Sequence, residues 1–346
     1  MIDVKSHESE ELPTPPRTRR PQLSALRLDT MDVAASEGAV RIRRVMALLL
    51  MAYAGILALR SGLAGRVPSV AYMLMAAVAL AVYKNMLGRF VRDWTLVFAG
   101  LFAYLMSGHF QPVFNVGVYF RPQLELDRML GFGTVPTIWL QEHLYSGRIG
   151  WLELFATFAY LSHFVAPLVL GLYLWFGRQA RAFAELMFGI LVVSVLADIT
   201  YVLAPTAPPW LAADHGYLPP VHHIVKAGLT HLHLGALAAM DGDSSKYNVV
   251  AALPSMHVAF PAIALFVLLR HRLPSWVIAL QGIQLLSVIF AIVYTGEHYL
   301  SDALVAFVYV AFGLALVRRA LDRVPAAAAK VTRSVTPSSR AVPDTR

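Results

Sequence analysis

Apolar residues run along this chain in long, nearly unbroken blocks, separated by short clusters rich in arginine, proline and glycine. A bilayer core of roughly 30 Å needs about 20 helical residues to cross it. Eight blocks approach or meet that length, near residues 45–61, 68–84, 94–111, 151–176, 182–204, 250–269, 276–295 and 299–318. Polar residues interrupt the third and the last two near their ends, which leaves those boundaries soft by a few positions. The pattern predicts an all-α polytopic membrane bundle of about eight transmembrane helices. No internal repeat is visible.

Composition agrees. Of 346 residues, 58% are hydrophobic and only 14% charged, whereas a soluble domain is about half apolar and a quarter charged. The first 40 residues depart from the pattern: Leu12-Pro13-Thr14-Pro15-Pro16 leads into Arg17, Arg19 and Arg20, with few bulky apolar side chains. Such a composition reads as a disordered arm, and 321–346, with its alanine run and Arg333, Arg340 and Arg346, reads as a disordered basic tail. Between them lie two N-terminal spans over 41–90 and a membrane domain over 91–320. The first apolar run starts near residue 45, too late for a signal peptide.

The net charge of +8 sits in tufts between the apolar runs, the distribution of topology signals and not of a nucleic-acid surface. With the N-terminus inside, Arg41, Arg43, Arg44, Lys84, Arg89, Arg92, Arg178, Arg181, Arg270, Arg272, Arg318, Arg319 and Arg323 all face the cytoplasm. Only Arg60 and Arg66 lie in a short loop on the other side. The positive-inside rule therefore places both termini in the cytoplasm, in what reads as a plasma-membrane protein. The long loops 112–150 and 205–249 then lie outside, with Trp139, Trp151 and Trp210 suited to an interfacial belt. Val221 to Leu234 reads as an amphipathic piece along the membrane surface. Cysteine is absent, which excludes disulfides, thiolate catalysis and zinc–thiolate sites.

Two segments carry the candidate chemistry: Leu253-Pro254-Ser255-Met256-His257 and Gly296-Glu297-His298-Tyr299-Leu300-Ser301-Asp302. Each opens a span at the outer face. His298 and Asp302, four residues apart, share one helical face about 6 Å apart along the axis. A carboxylate there can accept the Nδ1–H of His298 and leave Nε2 as a nucleophile or base. Pro254 suits a helix start, and Ser255 with the free N–H groups of that first turn suits a phosphate. His257 can protonate a leaving alkoxide. A lone histidine at a span end is commonly just interfacial, but ionisable residues within spans are rare and usually functional. Four such residues meeting at one level from two helices read as a site.

Pro254-Ser255-x-His257 followed by His298-x-x-x-Asp302, with one span between, resembles two motifs of the type-2 phosphatidic acid phosphatase superfamily. Pro205-Thr206-Ala207-Pro208-Pro209-Trp210 and Gly296-Glu297-His298-Tyr299 are similar to the branch containing fungal inositol phosphorylceramide synthase and its bacterial relatives. The resemblance covers roughly residues 90–318 and implies a six-helix catalytic core and a lipid phosphoester substrate, without metal or cofactor. It implies that His298 attacks phosphorus, Asp302 orients it, His257 protonates the departing alcohol and Ser255 holds the phosphate. Water as acceptor then gives a phosphatase, and a polar or lipid alcohol gives a transferase. Phosphatidic acid, phosphatidylinositol and isoprenyl phosphates all remain open as donors.

The chain departs from that superfamily where cations are expected. A Ser-Arg pair usually precedes the nucleophilic histidine, and Ala291 and Ile292 stand in its place. The usual Lys-and-Arg-Pro motif is also missing, since Arg121-Pro122 matches it only superficially. A phosphate needs positive partners, and Lys226 and Arg121 in the outer loops are the candidates. The missing cations favour a phosphodiester donor, which carries less charge than a phosphomonoester.

Other polar residues read more plainly. Glu297 reads as a water-facing or helix-capping carboxylate before it reads as a base for an acceptor hydroxyl. His163, mid-span beside Tyr160 and Ser162, reads as a hydrogen-bonded packing residue. His215, His222, His223, His231 and His233 crowd one loop, but no cysteine or well-spaced carboxylate completes a closed zinc site. Two rival functions follow from the same residues: a zinc-dependent hydrolase with His257, His298 and Asp302 as ligands, and a proton-coupled transporter. A transporter needs polar residues across the whole membrane and commonly repeated halves, whereas here they cluster at one face.

Overall fold

A computed structural model of the chain describes residues 70–107, 117–234 and 248–335, with scattered positions between 44 and 56 and at 238. The arm over 1–40, most of the first expected span and residues 336–346 lie outside the described residues. Eleven helices follow in order: α1 (Val70–Tyr83), α2 (Leu87–Ser107), α3 (Arg121–Leu130), α4 (Pro136–Leu144), α5 (Trp151–Phe176), α6 (Ala180–Leu203), α7 (Pro209–Asp214), α8 (Ile224–His231), α9 (Met256–Arg270), α10 (Ser275–Tyr294) and α11 (Leu300–Val335). The protein is a polytopic membrane helix bundle.

Among the described residues four helices are long and apolar enough to cross a membrane: α5, α6, α10 and α11 over Leu300–Arg323. Their outward faces are greasy too, as expected where lipid is the solvent. On α10, for instance, Leu280, Ile283 and Leu286 recur at helical spacing and are all exposed. The last helix continues past Pro325 to Val335, through the first part of the segment read as a tail.

At the centre lies α9, packed against α5, α6, α10 and α11. Val258, Ala259, Ala262, Ile263, Ala264, Val267 and Leu268 are all fully buried. It is only 15 residues long, about 22 Å at 1.5 Å per residue. The apolar run there begins near residue 250, but a turn at 250 and an isolated bridge at Ala251 come first, and the helix starts six residues later. Thr206 accounts for the delay. Its N–H donates to Val250 O (2.8 Å), its carbonyl accepts from Ala252 N (3.3 Å), and its hydroxyl accepts from Leu253 N (2.9 Å). These bonds, around the isolated bridge of Thr206 to Ala251, engage Val250 O, Ala252 N and Leu253 N and keep the segment out of the helix. Pro254, expected to open the helix, precedes it; the N-cap is Ser255 and the Leu253–Pro254 peptide is cis.

Side-chain size sets the spacing of α6 from its neighbours. A Cβ on Gly189 would lie 2.9 Å from Leu314 Cδ2, and one on Gly313 would lie 2.5 Å from Val193 Cγ2. Glycine at both positions lets α6 and α11 meet closely, the small-residue packing favoured where no hydrophobic effect drives helices together.

The charged clusters separate by end. Arg181, Arg270, His271 and Arg318 surround the buried Glu185, with contacts of 3.3, 3.5, 3.2 and 3.5 Å. Arg89 and Arg92 gather near Trp175, at the same end. His257 and His298 open α9 and precede α11 at the other end. The loop charges that topology reasoning places on one side are thus together in space, opposite the histidines.

Candidate active site

Three helices and two loop layers build the site. The chain leaves α10 at Tyr294, turns through Thr295, Gly296 and Glu297, and enters α11 at Leu300. The N–H groups of Glu297 and His298 both donate to Ile292 O at 3.0 Å, which closes the turn. Gly296 adopts φ +81°, and a Cβ there would lie 2.7 Å from Val221 Cγ1, so both backbone and space require glycine.

His298 is buried, and both its ring nitrogens are engaged. Nδ1 is 2.9 Å from the carbonyl of Ala252 and 3.4 Å from Asp302 Oδ2. A carbonyl only accepts, so Nδ1 carries the proton and Nε2 the lone pair. The expected orienting carboxylate is in place, but the backbone of Ala252 is the nearer partner. His298 Nε2 is 2.9 Å from His257 Nδ1. With the tautomer of His298 fixed from behind, His257 Nδ1 is the donor of that bond.

Asp302 is fully buried at the start of α11. Its Oδ2 also accepts the N–H of Tyr299 (3.0 Å), and its carbonyl accepts the N–H of Ser255 (3.2 Å). The second contact ties the entrance of α9 to the entrance of α11. Ser255 is itself fully buried. Its hydroxyl, Asp302 Oδ1 and the Tyr299 hydroxyl lack hydrogen-bond partners among the described residues. The first N–H groups of α9, at Met256, His257 and Val258, likewise have none there, while Ala259 N already donates to Ser255 O. Unpaired buried polar groups are costly; Asp302 touches His298, and Ser255 stands two residues before His257. The N-terminus of α9 is thus an open anion cradle.

The N-terminus of α11 is closed by contrast. Asp127 of α3, fully buried, accepts from Leu300 N through Oδ2 (2.8 Å) and from Ser301 N through Oδ1 (2.7 Å). It is an N-cap supplied from 173 residues away. Burial raises its carboxyl above the ordinary value, and the bonds from Ser301 and Leu300 offset part of that rise.

A family model described as PAP2 superfamily matches residues 123–316, more than half of the chain. The chain belongs to the PAP2 superfamily. Among curated proteins it is similar to the phosphoinositol dihydroceramide synthase of Bacteroides thetaiotaomicron, at 26% identity over 176 residues. That alignment covers 48% of this chain and 58% of the relative, so the chain spans less than two thirds of the relative's length. No solved structure matches the chain.

The positions where the PAP2 superfamily usually carries a Ser-Arg pair are filled by packing. Ala291 and Ile292 are both fully buried, Ala291 among Ala156, Ile224 and Tyr294, and Ile292 in the main core. Lys226 and Arg121, expected to substitute, are both exposed. Neither makes an ion pair among the described residues, and no Lys or Arg there bonds to His257, His298 or Ser255.

The imidazole environment is richer than two motifs imply. His163 lies with its ring centroid 4.0 Å from that of His257, and Tyr160 stacks on His257 at 4.4 Å. His163 is buried and bonded through Nδ1 to the carbonyl of Tyr160, a packing residue as expected, but one that forms the back wall of the site. Glu297 is buried, contrary to a water-facing reading, and its Oε1 lies 2.6 Å from His223 Nε2. His223 stacks on Trp210 at 4.8 Å with planes 5° apart, and Trp210 N donates to Gly296 O. Trp210 is therefore a support of the 295–298 turn, whereas Trp139 and Trp151 are exposed as a belt requires. Gln141 adds a further tie: it bonds both the N–H and the carbonyl of His222 and the carbonyl of Tyr294.

One metal ion does not fit the three candidate ligands. An ion between His257 Nδ1 and His298 Nε2 would sit across the His298 ring from Asp302, which faces Nδ1. The loop histidines do not converge either: His215 bonds Leu211 O, His222 lies tilted against Tyr145 and His223 pairs with Glu297.

Proposed function

We propose that this protein is a lipid phosphotransferase that moves a phospho-group, of phosphoinositol type, from a lipid phosphodiester donor to an alcohol acceptor through His298. The observation that carries the reading is the fixed tautomer of His298, whose lone pair on Nε2 faces the donor atom of His257. The donor phosphorus enters between the two rings and replaces their hydrogen bond. Nε2 forms a bond to phosphorus as the P–O bond to the lipid breaks, and protonated His257 gives its proton to the departing alkoxide. The phosphohistidine ring is then a cation that keeps Nδ1–H on Ala252 O, with the Asp302 carboxylate offsetting its charge. Neutral His257 next takes the proton of the acceptor hydroxyl as that oxygen attacks phosphorus, and His298 leaves in its starting form. Protons and charge return to where they began.

Two features favour a phosphodiester over a phosphomonoester. The site has an N-terminal cradle and imidazoles but no guanidinium among the described residues, which suits one negative charge better than two. The relative's name, phosphoinositol dihydroceramide synthase, points the same way. The positive-inside rule supports placing the histidine end outside the cytoplasm, in the plasma membrane.

The test uses purified protein in detergent with EDTA throughout, given acyl-labelled phosphatidylinositol or phosphatidic acid and a ceramide acceptor. Diacylglycerol release from phosphatidylinositol that depends on acceptor and disappears in His298→Ala supports the transferase. Acceptor-independent release from phosphatidic acid would make it a phosphatase. Release abolished by EDTA would sink the histidine mechanism.

A further inference from the structure

A cavity lies at the opposite end from His298. It has a volume of about 510 Å³ and runs between α2 and α6, with Trp175 of α5 at one end. The α6 wall is apolar: Phe183, Met187, Phe188 and Leu191, with alanines at 180 and 184. These positions share one helical face. From 180 to 191 the strip is about 17 Å long at 1.5 Å per residue, close to one leaflet of a ~30 Å hydrocarbon core.

The rim is charged. Asp93 holds Arg92 Nε at 2.9 Å, Arg89 Nε at 3.3 Å and Trp175 Nε1 at 3.0 Å, and the Arg89 guanidinium lies 5.1 Å over the Trp175 ring. Both arginines meet Asp93 through Nε, and their terminal nitrogens make no hydrogen bond among the described residues. A guanidinium has five N–H donors, so each side chain keeps a pair of donors for a ligand. Two cations on one carboxylate leave a surplus positive charge at the mouth. A slot one leaflet deep, apolar along its length and cationic at its rim, has the chemistry of one lipid molecule. A zwitterionic headgroup brings its own ammonium toward these arginines, and an anionic one does not.

We propose that this cavity binds a single anionic phospholipid of the surrounding bilayer, with its phosphate on Arg89 and Arg92 and one acyl chain along α6. The site is separate from the His298 chemistry, so binding survives in His298→Ala. The experiment is native mass spectrometry of the purified full chain in detergent, with phosphatidylglycerol and phosphatidylcholine at equal concentration. Wild-type protein is expected to retain phosphatidylglycerol about tenfold over phosphatidylcholine, the worth of one charge-assisted contact. Arg89→Gln with Arg92→Gln removes that preference, and Ala184→Phe, which fills the slot, lowers retention of both lipids. Equal retention by wild-type protein would overturn the proposal, as would an unchanged preference in the double variant. Should the double variant misfold, Arg92→Gln alone decides, because Arg92 is largely exposed: a preserved preference there also overturns it.

Discussion

His298 is held from behind by two acceptors, Ala252 O and the Asp302 carboxylate, and that redundancy grades the expected effects of substitution. His298→Ala should abolish turnover. His257→Asn should lower kcat by roughly 10²–10⁴-fold, the usual worth of a positioned acid–base. Asp302→Asn should cost less, about 10- to 100-fold, because Ala252 still fixes the tautomer while the charge facing the ring is lost. Single-turnover kinetics on the three variants checks that order, and equal losses for Asp302→Asn and His298→Ala would contradict it. His257, His298, Asp302 and Ser255 were legible in the sequence because each stands within two residues of a span end. The ties from Ala252 and Asp127 were not, since one is a backbone carbonyl and the other reaches α11 from a distant helix. Lys226 and Arg121 are cations of the outer loops, and the fold leaves both exposed, without ion pairs among the described residues.

At the scale of elements, the site depends on how α9 and α11 begin. Thr206 pins 250–253 outside the helix and so presents the Ala252 carbonyl to His298. Thr206→Val removes the hydroxyl bond to Leu253, which should cost about 1 kcal/mol and lower kcat while leaving the helix content unchanged by circular dichroism. Asp127→Ala uncaps α11 and should cost about 1–2 kcal/mol in thermal unfolding. The raised carboxyl of Asp127 also gives a sign. The native state holds that proton more tightly than the unfolded chain, whose value is near 3.8, so stability falls as pH rises from there through the raised native value. Asp127→Asn should flatten that part of the curve, and a slope unchanged by the substitution would assign it elsewhere. Hydrophobic blocks located α5, α6, α10 and the start of α11 within two residues, because long apolar runs leave a helix few alternatives in lipid; the end of α11 lies well past the last block, at Val335. The start of α9 was misplaced because an apolar run cannot distinguish helix from a strand-like pairing made elsewhere in the chain.

For the whole molecule, the two ends differ in kind. One gathers arginines around Glu185 and Asp93; the other recesses an imidazole pair beneath α3, α4, α7 and α8. The segregation was visible in loop charge, while the layering of the outer loops was not, because it rests on single contacts such as Gln141 to His222 and Trp210 to Gly296. The proposed histidine nucleophile should be indifferent to chelators and carry its intermediate on the protein. The most direct test mixes the purified full chain with a phosphorus-labelled phosphatidylinositol donor, without acceptor, and quenches in base within the first turnover. An acid-labile, base-stable adduct is expected on the peptide containing His298, absent from His298→Ala and accumulating in His257→Asn given a donor with a good leaving group. Turnover without any adduct, or an adduct on another residue, would contradict the proposed nucleophile.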